Sequence, residues 1–419
     1  MKFIHAADIH LDSPLRGLER YEGAPVDALR GATRRALESL VDLALDEAVT
    51  AVLLAGDLYD GDWKDYNTGL FFARQMERLR AADIPVFAVA GNHDAVSQIT
   101  RRLRLPENVH LFATRAPETQ VREDLGFAVH GQGFASRAVS EDLTRAYPAP
   151  CSGLFNIGLL HTSLDGRPDH DTYAPCSRDG LRTLGYDYWA LGHVHRHEIV
   201  DESPWIVFPG NLQGRHARET GPKGCCLVEV EDERVQRVEP RALDVARWFD
   251  CRVDLSAVAS LEEVYARAEQ RLSAALESAD GRLAAVRLRF AGVCAVHSRL
   301  QAVQDHVIND CRALANALGG EAMWLEKVLI ETRREPSAAE RLIRDEAFGS
   351  LLSVIRDLEL DDERLERLSA EFSDLAAKLP PEIRRGDEPC DPGSPAFLRH
   401  SLAEAQELLL ARLLDPGEP

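Results

Sequence analysis

Residues 51–60 read AVLLAGDLYD: five apolar residues, then a glycine and two carboxylates, Asp57 and Asp60, set apart by Leu58 and Tyr59. An apolar run this short is the pattern of a buried strand, and the polar tip that follows has no place in a core. The same design recurs on either side. Residues 2–7, KFIHAA, run into Asp8-Ile9-His10, and residues 84–90, IPVFAVA, run into Gly91-Asn92-His93-Asp94. Between them, residues 32–48 place Ala36, Leu40, Leu43 and Leu45 on one helical face, and 67–82 is a second periodic stretch. Strand, helix, strand, helix, strand is an α/β layout. Ligands in such folds collect beyond the carboxyl ends of the strands, so the three polar tips are expected to be neighbours.

Outward from this unit, strands are expected near 109–112, 126–130, 154–160 and 186–191, the last two ending in His161-Thr162-Ser163 and Gly192-His193-Val194-His195. Residues 206–211 and the alternating stretch 225–240 read as a sheet edge and a hairpin. A first domain is thus expected over 1–245. Over 246–335 the expected order is strand, helix (261–279), strand (283–290), helix (298–318), strand (323–332), a small β-α-β-α-β cap that shapes substrate access. A helical region, 336–419, completes the chain, with a proline-rich linker at 380–395 and an apolar-rich helix at 397–414. That helix must bury its face on this chain or on a partner, and partner docking is the expectation.

The 419 residues carry a formal net charge of -20, with 28% charged and 45% hydrophobic residues. So acidic a chain does not hold nucleic acid by broad attraction, which needs many phosphate-neutralising cations. No apolar stretch has the length of a membrane span, and the start MKFIHAADIHLD lacks the run of a secretory signal, so a cytoplasmic protein is expected. Eight cysteines without CxxC spacing argue against structural zinc and a disulfide framework. No GxxxxGK[ST] phosphate loop occurs, so any ATP must be bound by another protein.

Five strand ends deliver Asp8, His10, Asp57, Asn92, His161, His193 and His195, oxygen and imidazole donors without a thiolate. Such a set suits two divalent cations with one bridging carboxylate. Asp57 is the expected bridge, since its strand lies between the flanking tips. His193 and His195, two apart in an extended segment, share a face and can reach different ions. His93, beside Asn92, is the candidate acid, with Asp94 to hold its tautomer. In the stretch 209–216, PGNLQGRH, Arg215 and His216 are possible substrate contacts. His5 and Trp189 are read as core, and His197 as a surface or supporting residue.

In order and spacing, DxH, GDLYD, GNHD, the later HTS and GHVH resemble the calcineurin-like metallophosphoesterases. Within them the chain is similar to the SbcD-type repair nucleases, most of all the YhaO-like bacterial branch. The resemblance implies a four-layer β-sandwich flanked by helices. It implies one ion, manganese with magnesium, iron(II) or zinc as alternatives, on Asp8, His10, Asp57 and His195, and another on Asp57, Asn92, His161 and His193. It gives His93 the scissile phosphate, oriented by Asp94, and gives Asp60 no catalytic role. The implied activity is two-metal DNA exonuclease chemistry by an activated water, with endonuclease as an additional activity, in repair or end processing. The implied partners are DNA, an SMC-like coiled-coil ABC-type ATPase docked on the C-terminal helices, and a second copy through the first domain. The alternative is a phosphodiesterase or phosphatase acting on a small nucleotide or phosphoester. A non-enzymatic scaffold of an ATPase complex is the remaining reading, disfavoured by the complete donor set.

Overall fold

A computed structural model describes residues 1–13, 24–60, 66–96, 104–165, 173–334, 362–379 and 390–414. The expected helical stretch at 336–361 and residues 380–389 of the expected linker lie outside the described residues. In chain order the strands of the first domain are β1 (Lys2–Ala6), β2 (Ala51–Leu54), β3 (Val86–Ala88), β4 (Val109–Leu111), β5 (Glu118–Arg122), β6 (Phe127–Gly131), β7 (Phe155–His161), β8 (Tyr188–Gly192), β9 (His197–Glu202), β10 (Trp205–Pro209), β11 (Gly224–Glu231) and β12 (Arg234–Ala242). Its helices are α1 (Val26–Arg30), α2 (Ala32–Asp46), α3 (Tyr66–Ala81) and α4 (Arg178–Thr183).

One sheet has the order β12-β11-β1-β2-β3-β4 and the other β5-β6-β7-β8-β10-β9. In the first, β1, β2, β3 and β4 pair in parallel, and β11 closes on β1 antiparallel. In the second, β6, β7, β8 and β10 are parallel. The period-2 alternation of a strand decides what each face meets. Phe3, Leu53 and Phe87 turn inward onto Phe127, Phe155 and Tyr188 of the other sheet. Ile4, Val52, Leu54 and Val86 turn outward onto Ala36, Leu37, Leu40, Phe72 and Met76 of α2 and α3. On the far side Leu160, Leu191, Ile206 and Phe208 meet Tyr147, Leu181 and Tyr186. The result is the expected α/β sandwich, helix, sheet, sheet, helix. Each fully buried Leu or Phe contributes about 1.5–3 kcal/mol relative to exposure.

His5 and Trp189 are core residues as expected. His5 joins the sheets, its ring hydrogen-bonded to the Tyr188 hydroxyl at 3.0 Å and its Nε2 to the Leu191 carbonyl at 3.1 Å. Two strands were not anticipated. β5 (ETQVR) and β9 (HEIVDE) sit at the edges of the second sheet, each paired antiparallel to a single neighbour. Edge strands carry polar residues that lack the apolar signature of a buried one.

The cap comprises β13 (Ala246–Asp254), α5 (Leu261–Ser278), β14 (Leu283–Val293), α6 (His297–Ala302), α7 (Gln304–Gly319) and β15 (Met323–Arg333), with sheet order β13-β14-β15. The single helix expected at 298–318 is two, because Val303 leaves the helical conformation at φ -120, ψ 31. A buried Arg287–Glu326 pair, with bonds of 2.8 and 2.7 Å, ties β14 to β15. The chain divides into two compact units, Met1–Gly292 with Arg299–Glu331, and Val293–Ser298 with Thr332–Pro419. The sandwich and the body of the cap therefore share one unit. In the other, α8 (Asp362–Glu371), α9 (Ser373–Lys378) and α10 (Pro395–Leu414) follow. Leu365 of α8 and Leu398 of α10 are buried, and the Ser369 hydroxyl donates to the Gly393 carbonyl. The start of the apolar-rich terminal helix thus packs within its own unit. Among the described residues no helix is long and apolar enough to cross a membrane.

Candidate functional site

The parallel strands β1, β2 and β3 end at one edge, and the chain turns sharply there. Asp8, His10 and Asp57 take positive φ of 50, 44 and 51°, and His193 takes 104°. Left-handed backbone at non-glycine residues costs energy and clusters at functional sites. It is held here by hydrogen bonds between tips: the Asp8 N–H donates to the Gly56 carbonyl and the His10 N–H to the Asp57 carbonyl, both at 3.0 Å. The Asp8 carboxylate crosses to the second sheet and accepts the His193 N–H at 2.9 Å. Glycine is required at position 91, where a Cβ would run into the Asp57 carboxylate and come within 2.7 Å of the Asp57 nitrogen.

The seven candidate donors converge. His10 Nε2 lies 3.3 Å from His195 Nε2, 4.0 Å from Asp8 Oδ1 and 3.9 Å from Asp57 Oδ2. His195 Nε2 is 3.6 Å from Asp8 Oδ1. On the other side of the group, His161 Nε2 is 3.5 Å from Asp57 Oδ2 and 3.0 Å from Asn92 Oδ1. The His193 ring stands edge-on to His161 with centroids 5.2 Å apart. Asp57 Oδ2 lies within 4 Å of a histidine of each set, His10 and His161, and the Asp8 carboxylate also neighbours both sets.

These residues fit divalent cations. His161 Nδ1 donates to the Ala55 carbonyl at 2.9 Å, which fixes the ring with Nε2 facing the oxygens of Asn92 and Asp57. The buried Asp8 Oδ1 and His10 Nδ1 have no hydrogen-bond partner, a costly state for buried polar atoms. Among the described residues three groups have donor atoms within 4.8 Å of one another: Asp8, His10 and His195; Asp8, Asp57 and His161; and His10, Asp60 and His93. Two of them belong to the expected set, and together they make a site for two divalent metals. The third, through Asp60, was not foreseen.

Asp60, given no catalytic role by the sequence reading, holds His93: its Oδ1 is 2.9 Å from His93 Nδ1, and its Oδ2 accepts from the Ser13 hydroxyl at 2.6 Å. Asp94, expected to orient His93, does something else. It is buried and accepts the N–H groups of Leu58, Tyr59 and Gly91 at 3.0–3.1 Å, pinning the GDLYD tip to the GNHD tip. The reason is that the Asp94 carboxylate is taken up by three main-chain N–H groups, and the carboxylate beside His93 Nδ1 is that of Asp60. His93 is 29% exposed, its N–H donating to Asp57 Oδ1 at 2.9 Å.

A second unforeseen carboxylate is Glu219. Its Oε1 is 2.7 Å from His195 Nδ1, and its Oε2 accepts from Asn211 at 3.0 Å and from the Arg215 N–H at 2.7 Å. The Arg215 guanidinium spans 3.2 Å to Glu219 and 3.8 Å to Asp60, so it sits at the rim between the carboxylates that hold His195 and His93. His216, a third exposed, lies 3.5 Å from Glu219. His197 is half-buried at the start of β9 and hydrogen-bonds Cys226 Sγ at 3.5 Å, away from the donor set. The signal for Glu219 was the stretch RHARET, of which only the first two residues drew notice.

Burial and charge set the proton affinities. Burial alone would lower His195, yet the carboxylates of Asp8 and Glu219 push it up to about 9. Burial would raise Asp8, but the neighbouring His195 ring holds it at about 2. Burial, reinforced by Arg215, keeps His10 well below the usual histidine range, and burial raises Asp57. Asp94 rises to about 6 through burial and the Asp57 charge. Burial would raise Asp60, but bonds from His93 and Ser13 hold it at about 2. Burial works against protonation of His93, and Asp60 outweighs it.

Residues 1–197 match the family described as calcineurin-like phosphoesterase, and residues 248–333 the family described as metallophosphoesterase YhaO, middle domain. The uncharacterized metallophosphoesterase YhaO of Bacillus subtilis (strain 168) is 33% identical over 375 residues, covering 88% of this chain and 90% of that protein. The DNA double-strand break repair protein Mre11 of Methanopyrus kandleri is 26% identical, covering 56% of this chain and 51% of that protein. The protein of the same name from Sulfolobus acidocaldarius is 30% identical, covering 56% and 61%.

Proposed function

The chain belongs to the calcineurin-like metallophosphoesterases, related to the YhaO branch, and from that premise we propose that it hydrolyses a small nucleotide or phosphoester with two bound divalent ions. One observation carries the reading: Asp57 Oδ2 lies 3.9 Å from His10 Nε2 and 3.5 Å from His161 Nε2, between two clusters of buried imidazole nitrogens and carboxylate oxygens spaced as divalent cations require. We assign one ion, manganese by preference, to Asp8, His10 and His195, the other to Asn92, His161 and His193, with Asp57 shared. When bound, such ions lower the pKa of an attacking water and offset charge on the phosphoryl oxygens.

The protein's own groups supply the rest. His93, oriented through Nδ1 by Asp60, presents Nε2 to the substrate side, where its proton can pass to the leaving oxygen. Arg215, 3.8 Å from Asp60, is a cation at that rim and can pair with a non-bridging phosphoryl oxygen. Asp94 keeps the two tips in register. Two features favour a small substrate. The chain carries -20 net charge, and the rim cation is already shared by Asp60 and Glu219.

The second reading is a DNA nuclease acting in repair with an SMC-like ATPase, favoured by the likeness of the first domain to proteins named for double-strand break repair. A partner's surface would then supply the missing positive potential. The test is turnover of a small diester, bis(p-nitrophenyl) phosphate, by the manganese-loaded chain with and without excess linear DNA. Turnover indifferent to DNA is the expected result. Inhibition by DNA together with its cleavage moves the assignment to the nuclease, and inertness toward both with two ions bound overturns hydrolysis altogether.

A further inference from the structure

Glu219 reaches the metal centre from a loop, Asn211–Lys223, whose other side is fastened to the cap. The fastening brackets Glu219. The Trp248 indole N–H donates to the Gly214 carbonyl at 3.0 Å, and the Trp248 carbonyl accepts the Gly221 N–H at 3.2 Å. The Gln213 side chain spans the same seam, donating to the Ala246 carbonyl at 2.6 Å and accepting the Val245 N–H at 2.9 Å. Trp248 is buried in an apolar cluster with Leu29 and Ala217 of the sandwich and Ala285 and Trp324 of the cap. On the inner side the same loop grips His195 twice: Glu219 holds its Nδ1, and the Lys223 ammonium donates to its carbonyl oxygen at 2.6 Å.

We propose that Trp248 is a positioning residue for the metal centre, through which the cap strand β13 sets the place of Glu219 and hence the ring of His195. The inference rests on the two-metal reading above. The physical basis is the short range of the contacts. A hydrogen bond weakens steeply with misalignment, and a group that orients a metal ligand commonly governs affinity by about 10–100-fold. The loop has little slack, since a Cβ at Gly214 would stand 2.9 Å from the Glu219 carbonyl oxygen and 3.0 Å from Trp248 Cδ1. The middle domain is thereby part of the catalytic apparatus rather than an appended cover.

The test uses the full chain, manganese(II) titrated by calorimetry, and the small diester for kinetics. Trp248→Phe keeps an aromatic ring at the position and removes the indole N–H, Gly214→Ala presses on the loop from within, and Trp324→Phe disturbs the same cluster while leaving both Trp248 hydrogen bonds to the loop in place. Melting curves and circular dichroism report the fold of each. The expected outcome is that W248F and G214A hold one manganese as the parent does and bind the other about 10-fold more weakly, with kcat lowered and KM unchanged, while W324F keeps both ions. Parental uptake of both ions by W248F and G214A overturns the proposal. So does equal weakening by W324F, which would assign the effect to cap packing in general. A parent that binds fewer than two ions refutes the two-metal reading itself, a result distinct from either.

Discussion

His161 is fully buried, and its Nδ1 donates to the Ala55 carbonyl at the end of β2, a main-chain partner fixed by the sandwich. His195 is 20% exposed, and its Nδ1 faces a carboxylate carried on a loop. Both rings aim Nε2 at the same centre, yet one is set by the sheets and the other by the Asn211–Lys223 segment with its cap fastening. The difference teaches that a two-cation site can have a rigid half, inherited from the fold, and an adjustable half whose ligand geometry and proton affinity are set from outside it.

The comparison can be broken most severely at its shared residue. Asp57→Ala removes the carboxylate whose Oδ2 lies within 4 Å of both His10 and His161, so both ions should be lost and turnover should fall on the order of 10³-fold, read by metal analysis alongside kinetics. Retention of both ions by D57A would deny Asp57 the bridging place. His93→Ala lies outside both halves and should leave two ions bound while turnover drops about 10²–10³-fold. Asp60→Asn should follow it in the same direction, whereas a control at Asp94 should act on stability.

Glu219→Gln separates the halves. It should weaken one ion by about 10–100-fold and leave the other as in the parent, a split visible in a two-site manganese titration. The finest distinction between the halves is in pH dependence. His195 in the metal-free protein keeps its extra proton up to about 9, and that proton must leave before Nε2 can take a cation. Affinity for one ion should therefore climb by about 10-fold per pH unit from 7 toward 9 and level off above it. The E219Q variant should level off at lower pH, because one of the two carboxylates retaining the proton is gone. An unchanged plateau would mean that Asp8 alone sets it.

Much of this was legible in the chain. Short apolar runs ending in Asp8, Asp57 and Asn92 announced parallel strands with their tips together, because a strand buried on both faces has little choice of composition. Edge strands β5 and β9 went unread since half-exposed strands have no such constraint. The partners of the histidines were also misjudged. Asp94 adjoins His93 in sequence and looked like its partner, but Asp60 holds it. Glu219 stands 24 residues beyond His195 and gave no spacing signal at all.

Composition and pattern by themselves determined the α/β layout, the donor types and the strand ends that carry them, since burial and strand period leave those choices written along the chain, and the motif resemblance added the sandwich. Only the tertiary structure decided which carboxylate serves which histidine and that the cap reaches the centre through Trp248. Those pairings depend on contacts of about 3 Å, and such contacts are made by the paths of loops, which local sequence preferences do not prescribe.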